Sequence, residues 1–324
     1  MKFYFGRRRG AKGFTLVELM VAVAMTGIVM TVMFTMFRTS SRSYTLQDYV
    51  VETQQNLRVG MYNLNRDVRM AGCGMNLLPA LVSGIQVFNG SSWINMNSIT
   101  ATNSSTGPDS IEIFYGDINS GEYDASITQG MPDASAELNV DDTSSFSVND
   151  TVIISDGVTA ALFVVSQIQD PPGKLQHNPA QSPFNPPAAF KHFPSGGGYG
   201  VGSLLFNFGG ARWLTYSIDS VTDPAHPRLV VDMHDGNPPQ VIADNIEDMQ
   251  FFYFMSQGVA DTDDPTGNET KITAVRITLV ARTAEPDRES LVFNPLTIED
   301  HIPSAAAADG YRRRVLSTIV KKRN

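Results

Sequence analysis

Glu18 is the side chain whose position most needs a chemical explanation. It is the only ionisable residue in the 24 positions FTLVELMVAVAMTGIVMTVMFTMF, residues 14–37, and about 20 apolar residues suffice to cross a bilayer as a helix. A carboxylate held in hydrocarbon costs roughly 2.5–3.5 kcal/mol even on lenient insertion scales, so Glu18 needs a partner there. Ahead of this run, Lys2, Arg7, Arg8, Arg9 and Lys12 supply five positive charges and no acid, and Gly13 closes the segment. Basic residues stay on the cytoplasmic side of a span, which puts residues 1–13 inside and the rest outside. A secretory signal would place its small residue after a shorter apolar run. Here Gly13 comes before a longer one.

Other candidate chemistry is thin. Asp261, Asp263, Asp264 and Glu269 form an acidic loop whose oxygens could ligate Ca²⁺, but the order departs from an EF-hand and Pro265 interrupts it, which favours a solvated hairpin loop. The five histidines, His177, His192, His226, His234 and His301, are scattered beside Pro or Gly and read as surface residues. No Walker A, GxGxxG, GxSxG or HExxH pattern occurs. The run GGGYG at residues 196–200 lacks the strand before it and the helix after it that a phosphate cradle requires. Cys73 is the single cysteine, so neither an internal disulfide nor an all-cysteine metal site can form. No cofactor is expected, and nothing points to an enzyme.

Charge narrows the partners. The whole chain carries −9, and without the five basic residues before Gly13 it carries 19 basic against 33 acidic side chains, or −14. Phosphate contacts need clustered Lys and Arg, so nucleic acid is excluded as the natural partner of the body. The basic run Arg312, Arg313 and Arg314 reads as ion pairs or a solvated edge.

The elements that must position these residues follow from periodicity. Beyond the span, Leu46, Val50, Leu57, Met61, Leu64 and Val68 recur at helical spacing, so the helix leaves the membrane and becomes amphipathic, with Gly72 or Gly74 as its stop. After residue 75 the chain changes to short β-rich runs between Gly, Pro, Asn and Asp. Strands are expected near 110–115, 151–155, 161–168, 203–208, 213–218, 229–233, 249–255, 271–281 and 315–320. No strand alternates with a long helix, which argues for an antiparallel head. Residues 170–202 hold seven prolines and then Gly196, Gly197 and Gly198, and read as a long loop unable to sustain ladder bonding, separating two sheets. Its aromatics Phe184, Phe190, Phe193 and Tyr199 are expected to pin the loop to its own head. The fold expected is therefore α+β: a long N-terminal helix, transmembrane first and amphipathic second, on an antiparallel β-rich head of two sheets. The expected divisions are 1–13, 14–37, 38–72 and 73–324.

A basic leader ending in Gly, followed by Phe-Thr-Leu-Val-Glu and an apolar helix, resembles the type IV prepilin and pseudopilin signal. Several further stretches resemble the PilW-type minor pilins, a family related to the J-type minor pseudopilin of type II secretion. They are NLNRDVRMAG at residues 63–72, FSVNDTVIISDG at 146–157, ADNIEDMQFFYF at 243–254, TAVRITLVART at 273–283 and YRRRVLSTIVKKRN at 311–324. That resemblance implies cleavage after Gly13 by prepilin peptidase and N-methylation of the new terminus at Phe14. It also implies that Glu18 meets the terminal amine of a neighbouring subunit during assembly. The implied partners are other minor and major pilins and the inner-membrane assembly platform. The implied location is the inner membrane in a single pass, the head periplasmic, then the pilus or cell surface. The function implied is a minor pilin that initiates assembly or sits at the pilus tip. The alternatives are a type II secretion pseudopilin and a tip adhesin whose ligand surface is the Pro-rich loop.

Overall fold

The computed structural model describes residues 13–75, 84–116, 124–194, 196–287, 298–301 and 309–322. Two compact units divide it, Met1–Val51 and Glu52–Asn324. One helix, α1 (Leu16–Met70), passes through both and stops where the sequence supplies glycine: Gly72 takes φ +76° and Gly74 φ +86°. A Cβ on Gly72 would also come within 2.9 Å of the Ser98 side chain, so only glycine fits the turn.

Seventeen strands follow: β1 (Ile85–Phe88), β2 (Trp93–Met96), β3 (Ile99–Thr102), β4 (Ser110–Tyr115), β5 (Ala125–Gln129), β6 (Leu138–Val140), β7 (Thr151–Ser155), β8 (Ala160–Val164), β9 (Gln167–Gln169), β10 (Lys174–Gln176), β11 (Leu204–Asn207), β12 (Arg212–Asp219), β13 (Arg228–Asp232), β14 (Gln240–Asp244), β15 (Ile246–Met255), β16 (Ile272–Arg282) and β17 (Arg313–Lys321). Among the described residues they form three sheets rather than the expected two, in the orders β2-β1-β8-β7-β11-β5-β6-β10-β9, β14-β13-β12-β4-β3 and β15-β16-β17. Pairing is antiparallel throughout except between β1 and β8. The expected strand 161–168 is two strands, because after Val164 the chain leaves β7 and re-enters the far end of the largest sheet as β9.

In the second unit, the helical stripe packs where the periodicity placed it. Leu57, Met61, Leu64 and Val68 are buried against Ile111, Ile113, Tyr216, Met249, Phe251 and Ile277 from the two smaller sheets. Gly60 lies on the same stripe, and a Cβ there would stand 2.9 Å from a methyl of Leu229, so glycine sets how closely helix and sheet approach. The five-stranded sheet buries both faces. Its other side brings Phe114 and Trp213 against Ile153, Leu162 and Phe206 of the nine-stranded sheet and Phe208 just beyond β11.

Two expectations fail here. Residues 170–202 are not a free loop, since β10 lies within them and pairs with both β6 and β9; their aromatics do pin the segment to its own head as expected, Phe193 and Tyr199 being buried with Phe163, Leu175 and Leu205. Seven prolines exclude long ladders, but a three-residue strand fits between Gly173 and His177 without using one. The GGGYG run is structural, since a Cβ on Gly198 would strike the Met131 carbonyl at 2.1 Å. The histidines are not surface residues either, His192 excepted. His177 is buried with Nε2 2.9 Å from the Ala136 carbonyl and its ring 4.4 Å from Phe163. His301 places Nδ1 2.7 Å from Asp248, His234 stacks on Trp213 at 3.9 Å, and His226 reaches Asn245. A neighbouring Pro or Gly says nothing about burial when the partner comes from a distant strand.

Candidate functional site

The site begins at Gly13, the first described residue, which is exposed, as is Phe14 beside it. Arg7, Arg8, Arg9 and Lys12 lie outside the described residues. Thr15 and Glu18 then form a reciprocal cap. The Thr15 backbone N–H donates to Glu18 Oε2 at 2.9 Å, and the Glu18 backbone N–H donates to Thr15 Oγ1 at 3.2 Å. The Thr15 hydroxyl also donates to Oε2 at 3.0 Å. This is the Thr-x-x-Glu capping box, with Thr15 as the cap ahead of Leu16 and Glu18 as the third helical residue. The pattern is visible in Thr15-Leu16-Val17-Glu18, and asking only for a charge partner for Glu18 passes over it.

The rest of the segment satisfies itself. Leu16, Val17, Leu19, Met20 and the apolar side chains onward to Phe37 are exposed within the first unit. The threonines among them turn their hydroxyls back onto the helix: Thr26 to Ala22 O at 2.7 Å, Thr31 to Gly27 O at 2.8 Å and Thr35 to Thr31 O at 2.6 Å. Such back-bonding lets a hydroxyl sit in hydrocarbon without an unmade bond. Among the described residues, α1 is the one helix long and apolar enough to cross a membrane. Glu18 is the polar group of this segment that is tied only to the first turn.

The same helix carries a second acid near its other end. Asp67 is fully buried, accepts hydrogen bonds from Tyr115 Oη at 3.0 Å and Tyr216 Oη at 2.5 Å, and is clamped by Arg66 at 2.8 and 3.0 Å. Burial, with the Asp67 charge behind it, pushes the Tyr115 hydroxyl up to about 12 and Tyr216 higher still, so both remain donors. Its signal was present too: Asp67 falls three residues after Leu64 and four before Ala71, on the apolar stripe itself.

The acidic loop does not assemble. Asp261 accepts from the Met255 N–H at 2.8 Å and Asp264 from Thr266 Oγ1 at 2.6 Å, each closing its own turn, and the Asp263 Oδ1 atom has no partner. Among the described residues no three His, Cys, Asp or Glu side chains gather closely enough to share a metal ion. The basic run is absorbed by ion pairs, Arg312 with Asp287 at 2.8 Å and Arg313 with Glu247 at 2.9 Å and with Asp309.

The prokaryotic N-terminal methylation motif matches residues 8–34, across Gly13, Phe14 and Glu18. The chain thus carries the signal of the type IV pilin class at the head of an apolar N-terminal helix. The family described as Type IV Pilus-assembly protein W matches residues 215–324, from within β12 to the C-terminus. Together the two matches support a PilW-like type IV minor pilin in pilus assembly. No curated protein matches it. Among solved structures, the type IV-like pilin TTHA1219 from Thermus thermophilus is similar at 12% identity, over 83% of this chain and 96% of that one, with a TM-score of 0.35. That likeness is too distant to define the fold.

Proposed function

We propose that prepilin peptidase cuts after Gly13, that Phe14 becomes the methylated terminus, and that Glu18 is the residue through which the subunit enters the filament. The division of labour is then 1–13 as leader, 14–37 as membrane anchor, 38–72 as the helix continuing into the head, and 73–324 as the head. Before assembly the anchor lies in the inner membrane with the head in the periplasm, a reading supported by five basic residues on the leader side against two, Arg38 and Arg42, just beyond the span.

The observation that carries the reading is the state of Glu18. Every other polar side chain of the anchor bonds its own helix, while Glu18 holds only Thr15, the second residue after the cut. Cleavage creates an α-amine at Phe14, one residue from that cap. In a packed bundle of apolar helices the carboxylate would exchange or extend its cap to the amine of a neighbouring subunit, where low dielectric strengthens the pair. Other minor pilins, the major pilin and the assembly platform are the partners that this step requires. The chain serves as a structural subunit near the start or tip of the filament, not as a catalyst.

Intact mass of the membrane-extracted protein tests the cut. Loss of residues 1–13 with one added methyl is expected, and a retained leader in peptidase-competent cells overturns it. Replacing Gly13 with a bulkier residue should block processing while leaving insertion intact.

A further inference from the structure

The sheet edges of the head are not alike. Among the described residues, β2, β3 and β9 end their sheets with three or four residues each, and β14 ends its own with five and a register shift against β13. The outer side of β15 is covered: the Asp109 N–H donates to the Met249 carbonyl at 2.8 Å, and Tyr253 and Thr262 exchange both backbone bonds. Short, irregular or covered edges keep folded proteins from pairing with other chains. β17 has none of these devices. Its nine residues pair with β16 in one unbroken register, and no strand among the described residues lies on its other side.

The two ends of β17 fix which backbone groups are free. The Thr283 N–H donates to the Arg312 carbonyl at 2.9 Å and the Lys322 N–H to the Thr273 carbonyl at 3.1 Å, so the even-numbered residues face β16. An antiparallel strand alternates the direction of its backbone groups, so Arg313, Val315, Ser317, Ile319 and Lys321 turn theirs outward. Val315 and Ile319 are also 44% and 58% exposed. Charge is distributed as unevenly as pairing. Arg312 and Arg313 are held in ion pairs, whereas Arg314 and Lys321 are exposed and meet no acid among the described residues. This basic edge belongs to a body with 19 basic against 33 acidic side chains.

We infer that β17 receives an acidic strand from a neighbouring subunit, added edge to edge within the filament. This role rests on the filament entry proposed above. Backbone bonds to the five outward residues supply affinity, and the side chains set opposite β17 select the partner. Val315 and Ile319 match apolar residues at alternate positions of the incoming strand. Arg314 and Lys321 stand about 23 Å apart at roughly 3.3 Å per residue, and match Asp or Glu near its two ends. Pairing of two copies through β17 would set basic residues against basic ones. Anionic lipid is the competing partner for the two cations, but it brings no backbone to the outward N–H and C=O groups.

Photocrosslinking in piliated cells tests this, with p-benzoylphenylalanine in place of Ser317 on the edge and, as control, in place of Val221, 88% exposed on the turn after β12. Mass spectrometry of sheared pili should find position 317, and not 221, joined to an Asp- or Glu-bearing segment of another pilin subunit. Ser317→Pro removes one outward N–H and leaves β16 its bonds, since proline is tolerated at an open edge. It should lower recovery in sheared pili tenfold or more, while Ser317→Ala should match the unsubstituted protein. If Ser317→Pro loses its cooperative melt in detergent, the double variant Arg314→Glu, Lys321→Glu takes its place with the same loss expected. No cross-link at 317, a cross-link to lipid alone, equal cross-linking from 221, or normal recovery of the folded edge variant overturns the proposal. Absence of the unsubstituted protein from pili would overturn filament entry itself, whereas its presence without a cross-link at 317 overturns only the role of β17.

Discussion

Glu18 and Asp67 sit on one helix, 49 residues apart in sequence, and face opposite circumstances. Asp67 is built into the fold, fully buried and satisfied by two tyrosines from β4 and β12 and by Arg66. Glu18 touches nothing but the turn that starts its helix. A charge that a fold needs gathers partners from distant strands, whereas one kept for another molecule is satisfied locally and provisionally. Changes around Asp67 should therefore register in stability, and changes at Glu18 should register only in assembly.

The largest effect is expected on deleting residues 170–202. That removes β10 from between β6 and β9 and takes Phe193 and Tyr199 out of the core. Fully burying one aromatic or aliphatic side chain is worth roughly 1.5–3 kcal/mol, so several such losses rival the 5–15 kcal/mol of a whole domain. Circular dichroism of the detergent-solubilised protein should lose its cooperative β transition. A sharp transition in the deletion variant would return the segment to the status of a surface loop.

Asp67→Ala should come next, destabilising by about 3–5 kcal/mol as a broken buried charge cluster does. Asp67→Asn, which retains an acceptor for one tyrosine, should cost less. Gly116→Ala should follow at roughly 1–3 kcal/mol, the usual cost of overpacking, because its Cβ would stand 1.9 Å from the Phe208 ring. Thermal midpoints of the three variants rank them. If Asp67→Ala is no worse than Gly116→Ala, the contrast between the two acids fails.

How much of this was legible in the sequence depends on where the partner lies. The anchor, the start of the helix and its glycine stop are local, and FTLVE, the 57-61-64-68 stripe and Gly72 carry them within a few residues. The long strands β15 and β16 are legible for the same reason, their apolar, aromatic and β-branched residues recurring over 10 and 11 positions. β6 (LNV) and β10 (KLQ) have three residues each and no period to read; they exist because β5 and β9 offer them edges. The buried histidines His177 and His301 likewise depend on contacts that sequence distance hides. The capping box and the buried Asp67 were readable, and needed only the question of which acids fall at a cap or on an apolar stripe.

A smaller effect is expected with pH. Asp109 is buried beside Asp248 and Asp300, and burial above all pushes its carboxyl up to about 7, against the pull of the Phe251 and Ser104 N–H groups. The folded state then holds a proton that the unfolded chain releases near its ordinary value of about 4, so stability should fall as pH rises from 4 to 7 and level off above. Asp109→Asn should flatten that slope in a series of thermal melts. A slope unchanged by the substitution would assign it to other carboxyls.

The smallest change in stability, and the sharpest separation of the two acids, is expected at Glu18. Glu18→Ala removes one half of the capping box, worth about 0.5–2 kcal/mol at the first turn of α1. The head contains none of its partners, so the head's thermal midpoint should not move. Insertion should be eased rather than impaired, since the bilayer no longer accommodates a carboxylate costing a few kcal/mol. Entry into the filament should still fail: a packed apolar bundle would hold the Phe14 amine without its counter-charge, at a cost of about 3–5 kcal/mol, enough to reduce incorporation more than a hundredfold. Glu18→Gln separates the two roles of the side chain, because its amide oxygen can still accept the Thr15 N–H and keep the cap while losing the charge. Equal membrane levels of wild type, Glu18→Ala and Glu18→Gln, with only wild type recovered in sheared pili, would show that the charge and not the cap is what assembly uses. Normal recovery of Glu18→Gln would assign Glu18 to its own helix, and the contrast with Asp67 would become one of depth in the fold rather than of purpose.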